Sequence, residues 1–473
     1  MVPTQAVKDG GERQSRSHGN IRVIDRSRLA GLLERERESY RTQHPRSFDA
    51  YMSSRSLFGR VPMTWMNKSA GGFPLYVSKA RGARVEDIDG HELIDFCLGD
   101  TGAMAGHSPE PTVAAVIKRV SEQGGVTTMM PTVDAEWVAR ELARRFGLPY
   151  WSFALTATDA NRWAIRLARA VTGRPKILFH SYCYHGTVDE SLIVVGPDGR
   201  GVSREGNVGA PTDVTDTSRV AEYNDLDGLE RELAQGDVAA MLMEPALTNM
   251  GIVLPEDGYL AGVRELTKKY GTLLINDETH TFSAGPGGCT KAWGLAPDML
   301  TIGKAIASGI PAAAYGLSEE IAQHLANRSD LDMVDVGGVG GTLSGNPLSV
   351  AAMRATLEHV LTDEAFGRMI GLAGQFTAGV QRVIDTNELP WSVSQLGARA
   401  EYRFTSPPPR SGTQSHAAGD GELEDYLHVY LANRDILMTP FHNMALMSPA
   451  TEEADVKRHD EVFSEAVGEL VET

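Results

Sequence analysis

The chain has 473 residues, with 62 acidic and 45 basic side chains and a net charge of −17 at pH 7. This length predicts a large core divided into two domains, and the negative charge argues against nucleic acid or an anionic membrane as partner. The three cysteines, Cys97, Cys183 and Cys289, include no CxxC pair. They predict neither a disulfide framework nor a zinc site, and they fit a reducing cytoplasm.

The beginning of the chain predicts a tail followed by an arm. Residues 1–20 are polar and lack the apolar core of a signal peptide, so we expect a disordered tail. An amphipathic helix is predicted within an N-terminal arm over residues 21–75 that contributes to the smaller domain. The chain contains no uncharged apolar stretch of membrane-spanning length, which favours a protein without a membrane segment.

Residues 76–345 alternate short apolar runs with helix-length amphipathic segments, as βαβ units require. The expected fold class is α/β, a large domain with a mostly parallel central sheet. Its predicted strands are WSFAL, KILFH, VAAMLME, TLLIND, DMLTIG and AAAYGLS. Residues 346–473 predict a smaller C-terminal α+β domain, interrupted by a polar loop at SPPPRSGTQSHAAGDGE and closed by a helix near 451–472.

Two charged residues follow predicted strands directly. Asp277 ends the run LLIND, and Lys304 follows DMLTI. Ligands of open parallel sheets bind beyond the carboxyl ends of the strands, where a carboxylate needs a cationic partner and an amine can attack a carbonyl to form a Schiff base. The alternatives are a helix cap or ion pair for Asp277 and a solvent-reaching side chain for Lys304.

Two further features follow predicted strands. Thr156 and Asp159 have the spacing of a capping box at a helix start, and the free N–H groups of Ala157 and Thr158 make an anion site or simply belong to a capped helix. In FHSYCYHG, Tyr184 and His185 provide rings that stack on a planar ligand or pack in the core.

Nucleotide-binding motifs fail on specific residues. GLAPDMLTIGKA has Asp298 in place of the first P-loop glycine and Ala305 in place of its Ser or Thr. GGVGGTL has Leu343 in the last glycine position of GxGxxG. The sequence shows neither HExxH nor His/Cys spacing typical of a metal site.

The strand-end features together require a planar ligand with an anionic end, a carbonyl and a basic ring nitrogen, which describes pyridoxal 5′-phosphate (PLP). From about residue 50 onwards the chain resembles class III aminotransferases of PLP fold type I, in the branch of glutamate-1-semialdehyde aminomutases and β-amino acid aminotransferases. The motifs that carry the resemblance are GHELIDFCLGDTGAMAGHSP, IRLARAVTGRPKIL, CYHG, EPALTNMG, LLINDE, PDMLTIGKAI, GTLSGNPLSVAA and YNDL.

The resemblance implies a role for each matching residue. Lys304 would form the Schiff base, and Asp277 would pair with the pyridine nitrogen. The other cofactor-binding residues it implies are Ala157, Thr158, Tyr184, His185, Asn249, Thr279 and Thr342. Thr342 would reach the phosphate held by the neighbouring subunit, which implies a homodimer with shared active sites.

The chain also departs from the family pattern. TATDA places Ala157 where glycine is usual, Thr279 replaces a valine, and Asp100 replaces an active-site tryptophan of the aminomutases. The substrate pocket is therefore predicted to differ, with Asp100 among its residues. Arg55, in YMSSRSLFGR, is a candidate for binding a substrate carboxylate, and the alternative is an arginine that packs in the arm.

The sequence favours an aminotransferase that moves an amino group from an amine or β-amino acid to a 2-oxo acid by a ping-pong mechanism. The alternatives are an aminomutase or an amino-acid epimerase on the same scaffold, and a protein that holds PLP without catalysis. Small amines, amino acids and oxo acids are the expected partners, and no metal is expected.

Overall fold

The computed structural model describes residues 23–331 and 335–472. The tail predicted over residues 1–20 lies outside the described residues. The α-helices are α1 (Arg26–Gln43), α2 (Pro45–Ser53), α3 (Glu110–Ile117), α4 (Val133–Phe146), α5 (Ala157–Thr172), α6 (Val214–Thr217), α7 (Leu226–Leu233), α8 (Tyr259–Lys269), α9 (Gly288–Ala292), α10 (Glu319–Ala326), α11 (Pro347–His359), α12 (Asp363–Thr386), α13 (Gly412–Ala417), α14 (Gly421–Ala432) and α15 (Glu453–Val471).

The strands are β1 (Val77–Arg81), β2 (Arg84–Asp87), β3 (Glu92–Asp95), β4 (Tyr150–Ala154), β5 (Lys176–His180), β6 (Ile193–Val195), β7 (Gly201–Ser203), β8 (Ser218–Ala221), β9 (Val238–Met243), β10 (Leu273–Asp277), β11 (Met299–Ile302), β12 (Ala313–Leu317), β13 (Ser392–Leu396), β14 (Arg399–Arg403), β15 (Ile436–Leu437) and β16 (Met444–Leu446).

A seven-stranded sheet forms the centre of the molecule, in the order β4-β12-β11-β10-β9-β5-β8. Only β12 runs antiparallel to its neighbours, so the mostly parallel sheet is confirmed. Six of its strands are the six predicted ones. The seventh, β8, is the short edge strand Ser218–Ala221, whose sequence SRVA lacks the apolar run by which the others are recognised.

The helices bury the faces that their sequences predict. Helix α5 buries Ala160, Ala164, Leu167 and Ala168 and packs against the strands of the central sheet, while every residue of β9 is buried. Helix α11 packs against the turn that follows β11 and so supports the residues at that strand end. The carboxyl ends of β10 and β11 therefore lie at one edge of the sheet, supported by packed helices.

The rest of the chain forms two smaller layers. Strands β13, β14 and β16 make one sheet, against which α12 packs, and β1, β2 and β3 form another together with β15. Because β15 comes from residues 436–437, the first strands of the chain pair with its last third. Of the described residues, we propose that the smaller domain comprises 23–75 and 346–472. It also includes strands β1–β3, which the sequence prediction places in the large domain.

One predicted loop is partly helical. The segment SPPPRSGTQSHAAGDGE contains α13, which begins where the side chain of Ser411 accepts a hydrogen bond from the N–H of Gln414. The expectation of a continuous loop was wrong because this local cap was not recognised. Among the described residues, none of the helices combines the length and the apolar character that crossing a bilayer requires.

Candidate active site

A cavity of about 290 Å³ opens at the carboxyl ends of β10 and β11. It is lined by the start of α5, the segment after β5, the ends of β10 and β11, and residues 309–312. The predicted site residues that line it are Ala157, Thr158, Tyr184, Asp277, Thr279 and Lys304. The structure thus brings together side chains that lie as many as 147 positions apart in the sequence.

Asp277 is the last residue of β10 and is buried. Its Oδ2 accepts a hydrogen bond from Asn161 Nδ2 at 2.8 Å and lies 2.9 Å from His185 Nδ1, while Oδ1 accepts from the N–H of Thr279 at 3.0 Å. Burial acts to raise the pKa of Asp277, but His185 and these donors outweigh it and the pKa is lowered. The side chain is therefore an anion held at the edge of the cavity.

His185 is the partner of this anion. Burial acts to lower the pKa of His185, whereas Cys183 and Asp277 raise it, and the net pKa lies well above the usual value. The ring is accordingly an imidazolium paired with Asp277. His185 does not line the cavity itself and acts on it through Asp277.

Lys304 begins the 3₁₀ turn that follows β11, with its backbone in the left-handed region at φ +52°. Its Nζ donates hydrogen bonds to the carbonyl oxygen and to Oδ2 of Asp100, both at 3.0 Å, and contacts His280 Nε2 at 2.9 Å. A non-glycine residue held at positive φ is uncommon, and active sites are among the places where such residues cluster. The turn directs a primary amine into the cavity.

Helix α5 supplies the anion site expected from the sequence. Thr156 caps the helix by accepting a hydrogen bond from the N–H of Asp159 at 3.2 Å, and its hydroxyl donates to Asp159 Oδ2 at 2.9 Å. The N–H groups of Ala157 and Thr158, in the first turn of α5, have no partner within the helix. Both residues line the cavity, at the positive end of the helix dipole. A phosphate group fits these donors.

Gly186 allows the neighbouring segment to approach this helix start. A Cβ on Gly186 would lie 2.0 Å from the hydroxyl oxygen of Thr158, and the residue has φ +76°. Both the space and the backbone conformation therefore require glycine. The Thr158 hydroxyl accepts a hydrogen bond from the N–H of Thr187 at 3.2 Å, so the two segments form one continuous wall.

Three other predicted residues lie away from the cavity of this single chain. The Asn249 amide donates to the carbonyl of Tyr182 at 3.0 Å. Arg55 is exposed and donates to backbone carbonyls of Met52 and Ser54 in its own turn. Thr342 lies in an exposed turn. None of the three lines the cavity as the described residues form it.

Sequence reasoning missed three residues that contact the predicted ones. Asn161 bonds to Asp277, and its Oδ1 accepts from Thr301 Oγ1 at 2.6 Å. His280 contacts Lys304, and Arg399 contacts His280 Nδ1 at 3.0 Å. A polar residue beside apolar ones was the available signal for Asn161. For His280 the signal was its position three residues after Asp277, at the end of the same strand, whereas the charged residues of GARAEYRF gave none for Arg399.

These residues fit PLP. The hydroxyl of Thr279 is buried at the cavity without a hydrogen-bond partner among the described residues, which marks an unfilled polar contact. The helix start offers donors for a phosphate, the anion of Asp277 suits a protonated ring nitrogen, and the exposed face of the Tyr184 ring suits a planar group. The amine of Lys304 suits an aldehyde.

Comparison with known proteins agrees with this geometry. The family model of class-III aminotransferases matches residues 65–419. A glutamate-1-semialdehyde 2,1-aminomutase of Desulfitobacterium hafniense is 34% identical over 82% of this chain and 90% of its own length.

Solved structures of aminomutases and aminotransferases are also similar to this chain. A glutamate-1-semialdehyde aminomutase from Pseudomonas aeruginosa is 46% identical, covers 94% of this chain and 99% of its own, and has a TM-score of 0.91. A variant of that protein has been solved in complex with PMP. A β-phenylalanine aminotransferase from Variovorax paradoxus is 25% identical, with coverage of 93% and 97% and a TM-score of 0.82. The chain therefore belongs to the class-III aminotransferases and is a PLP-dependent enzyme.

Proposed function

We propose that the enzyme is an aminomutase that exchanges an amino group and an oxo group on adjacent carbons of a small amino aldehyde of the glutamate-1-semialdehyde type. The observation that carries this proposal is the likeness to aminomutases in both sequence and structure, at 34% and 46% identity over most of the chain. It follows the alternative of the sequence analysis rather than its preferred aminotransferase. The reaction is an isomerisation, because the amino group of C2 moves to C1 and C2 receives the oxo group.

The roles proposed for the cavity residues follow from their chemistry. Lys304 would bind the aldehyde of PLP covalently, and the anion of Asp277, oriented by His185, would pair with its ring nitrogen. Ala157 and Thr158 would hold the phosphate. The remaining contacts to the ring and its substituents are proposed for Tyr184, Thr279 and Asn249.

PLP, when bound, supplies a conjugated electron sink that stabilises negative charge at a substrate carbon. The other parts of the mechanism belong to the chain. Lys304 Nζ would take a proton from C2 of the substrate and, in a separate step, deliver one to C1 as the amino group moves, which requires the amine to stay within hydrogen-bond reach of both carbons. Asp277 would keep a negative charge next to the ring nitrogen.

A second candidate is the aminotransferase reaction on an amine or β-amino acid with a 2-oxo acid. It is favoured by Asp100, which bonds to Lys304 where the aminomutase pattern has a tryptophan. The structural likeness to a β-phenylalanine aminotransferase is in line with it. Under this reading Arg55 would bind the substrate carboxylate after the arm rearranges or from a neighbouring subunit. An epimerase is the remaining variant of the same chemistry.

We also propose a homodimer with shared active sites. Large apolar side chains are exposed in the single chain, and such exposure is typical of an interface. Examples are Phe58 at 89%, Val133 at 85% and Met129 at 84%. Thr342, exposed here, would complete the phosphate site of the partner. The three cysteines are free, which supports a reducing compartment such as the cytoplasm.

The test is to supply the purified holoenzyme with glutamate 1-semialdehyde and no oxo acid. We expect the isomer 5-amino-4-oxopentanoate to accumulate, detected by mass spectrometry and NMR. In a parallel arm the enzyme receives β-phenylalanine or an aryl alkyl amine together with 2-oxoglutarate. Turnover only in this second arm would replace the aminomutase by the aminotransferase, and turnover in neither arm would contradict both substrate assignments.

A further inference from the structure

Two polar side chains, Asp100 and His280, contact Lys304 Nζ, and two more, Thr101 and Arg399, contact His280; we call these four residues the lysine cluster. Asp100 and Thr101 follow β3, His280 follows β10, and Arg399 begins β14. Three separate parts of the chain thus converge on one amine. None of the roles proposed above uses His280 or Arg399.

The contacts of Lys304 match the donors of an ammonium group. Nζ has three protons and meets three acceptors, namely the carbonyl oxygen of Asp100, its Oδ2 and His280 Nε2, at 3.0, 3.0 and 2.9 Å. Of these three partners, only the imidazole nitrogen of His280 can also donate a hydrogen bond, because carbonyl and carboxylate oxygens only accept. It is therefore the contact whose direction can reverse when the lysine loses its charge.

His280 is held neutral by its surroundings. Burial comes first among the causes that lower the pKa of His280, followed by the positive charge of Lys304 and, more weakly, that of Arg399. Asp100 and Asp277 act in the opposite direction and do not compensate. Arg399 Nη2 lies 3.0 Å from Nδ1 of the ring, so a protonated ring would face a cation on either side.

The backbone of the cluster is strained in a consistent way. Asp100, Thr101 and Lys304 all have positive φ, at +48°, +78° and +52°. For the β-branched Thr101 this conformation is an outlier that the surrounding structure must enforce. The strain turns the carbonyl of Asp100 towards Nζ and places the Thr101 hydroxyl 3.0 Å from His280 Nδ1 and 2.7 Å from Arg399 Nη2.

A neutral imidazole can form a hydrogen bond with Lys304 Nζ in both protonation states of the lysine. When Nζ is an ammonium, Nε2 accepts its hydrogen bond, and the ring proton on Nδ1 is donated to the Thr101 hydroxyl oxygen, which also accepts from Arg399. When Nζ is a free amine, Nε2–H donates to it and Nδ1 accepts from Arg399. The ring carries one proton in both cases and changes only its tautomer.

We propose that His280 is a positioning residue that holds Lys304 Nζ in both of its protonation states, with Arg399 and Thr101 fixing the ring from behind. The inference rests on the proposed role of Lys304. Proton transfer by Lys304 would then depend on His280, Thr101 and Arg399 together. A lysine that must both give and accept a proton stays in place throughout.

The experiment measures the reactivity of Lys304 itself. Full-length protein freed of cofactor is labelled with trace acetic anhydride between pH 7 and 11, and acetylation of Lys304 is quantified by mass spectrometry. Variants His280→Met and His280→Gln are compared with wild type and with the exposed-site control His324→Gln. The hydrogen bond to the charged ammonium is stronger than the one to the free amine, so loss of both lowers the labelling midpoint in His280→Met by about one pH unit.

The His280→Gln variant should restore the hydrogen bond to Lys304 that His280→Met removes. Its amide oxygen can accept the same hydrogen bond, so we expect the midpoint to return to within about 0.3 pH units of wild type. In the holoenzyme, His280→Met should lower kcat by roughly 10–100-fold with KM changed less than about twofold, and should shift the acidic limb of the pH profile. His280→Gln should recover part of kcat.

An unchanged labelling midpoint in His280→Met overturns the proposal. If this variant fails to fold, Thr101→Val takes its place, because it removes the hydroxyl behind the ring; a shift in the same direction is expected, and none overturns the proposal. Borohydride trapping of PLP on wild type is run alongside. Absence of trapping on Lys304 contradicts the proposed function, whereas the labelling result reports on His280 alone.

Discussion

Lys304 and Asp277 bring opposite charges into one cavity from the ends of neighbouring strands. The β10 and β11 register pairs Asp277 with Thr301, so Lys304 follows only three residues beyond this pair. Each charge is compensated separately, Asp277 by His185 and Lys304 by Asp100. Neither residue neutralises the other, and both therefore stay available to a ligand placed between them.

Replacing Lys304 by alanine tests the central assignment. Without Nζ the protein has no amine at this strand end, so we expect no PLP to be fixed covalently by borohydride and the rate to fall by roughly 10²–10⁴-fold, the range for loss of a proton-transfer group. Trapping is measured by peptide mass spectrometry. The matched control is Lys291→Ala, an exposed lysine of α9. Trapping on another lysine in Lys304→Ala would contradict the assignment.

Strand-end position predicted the chemistry of Lys304 and Asp277, because carboxyl ends of parallel strands meet at one edge whatever the rest of the fold does. The capped helix start predicted Ala157 and Thr158, the resemblance added Thr279, and all three line the cavity. His280 and Arg399 could not be placed in the same way. Their proximity depends on β14 of the smaller domain approaching the central sheet, a contact between residues 119 positions apart.

At the scale of elements, the start of α5 and the segment after β5 form the anion site together. Their fit depends on Gly186, where a Cβ would lie 2.0 Å from Thr158 Oγ1. The sequence predicted the capped helix from Thr156 and Asp159. It did not predict the close approach, since nothing local to CYHG reports the distance to another helix.

Gly186→Ala is expected to damage this site. The added methyl group forces the two segments apart, so we expect a loss of about 1–3 kcal/mol in the free energy of unfolding beyond the backbone cost. Weaker retention of PLP is expected with it. Gly199→Ala is the matched control, because Gly199 has nearly the same φ of +78° and nothing within 4 Å of its Cβ position.

Comparing Gly186→Ala with Gly199→Ala separates the steric effect of the added methyl group from the cost of placing alanine at positive φ. An alanine at left-handed φ costs about 1–2 kcal/mol in either place, whereas only residue 186 meets another side chain. Urea unfolding and equilibrium dialysis of PLP measure the two effects. Equal destabilisation and equal PLP affinity in the two variants would show that the contact with Thr158 is unimportant.

For the whole molecule, the pairing of β3 with β15 shows why domain boundaries were hard to predict. Local patterns identify strands, but pairing between residues 94 and 436 is a long-range choice that no local pattern encodes. The six apolar strands of the central sheet were recognisable because buried parallel strands are nearly continuous apolar runs. The two-residue strand β15 carries no such signal.

If two copies of the chain share their active sites, a substitution in one subunit should weaken PLP binding in the other. Thr342→Val removes a hydroxyl that would contact phosphate in the partner's site, so we expect PLP affinity to fall about tenfold, the effect of one hydrogen bond to a charged group. The mass in solution should remain twice that of one chain. Thr212→Val, at another exposed threonine, is the control. A monomeric wild type, or unchanged affinity in Thr342→Val, would contradict shared sites.

Acid should destabilise the whole protein through buried neutral histidines. Burial lowers the pKa of His428 to about 4 and that of His180 to about 3, from a usual value of 6.5. The unfolded chain takes up protons below pH 6.5 while the folded one does not, so the stability present above pH 6.5 is lost as the pH falls towards 4. At pH 5 each of these histidines accounts for a loss of about 2 kcal/mol.

His428→Gln tests the sign and size of this effect away from the active site. Glutamine does not titrate and can keep a hydrogen bond to the amide oxygen of Asn443, which His428 Nε2 contacts at 3.1 Å. Urea midpoints at pH 7.5 and 5.0 are compared for wild type, His428→Gln and the exposed-site control His324→Gln. The loss on acidification should be smaller in His428→Gln by about 2 kcal/mol, and in the control, which keeps His428, it should equal that of wild type.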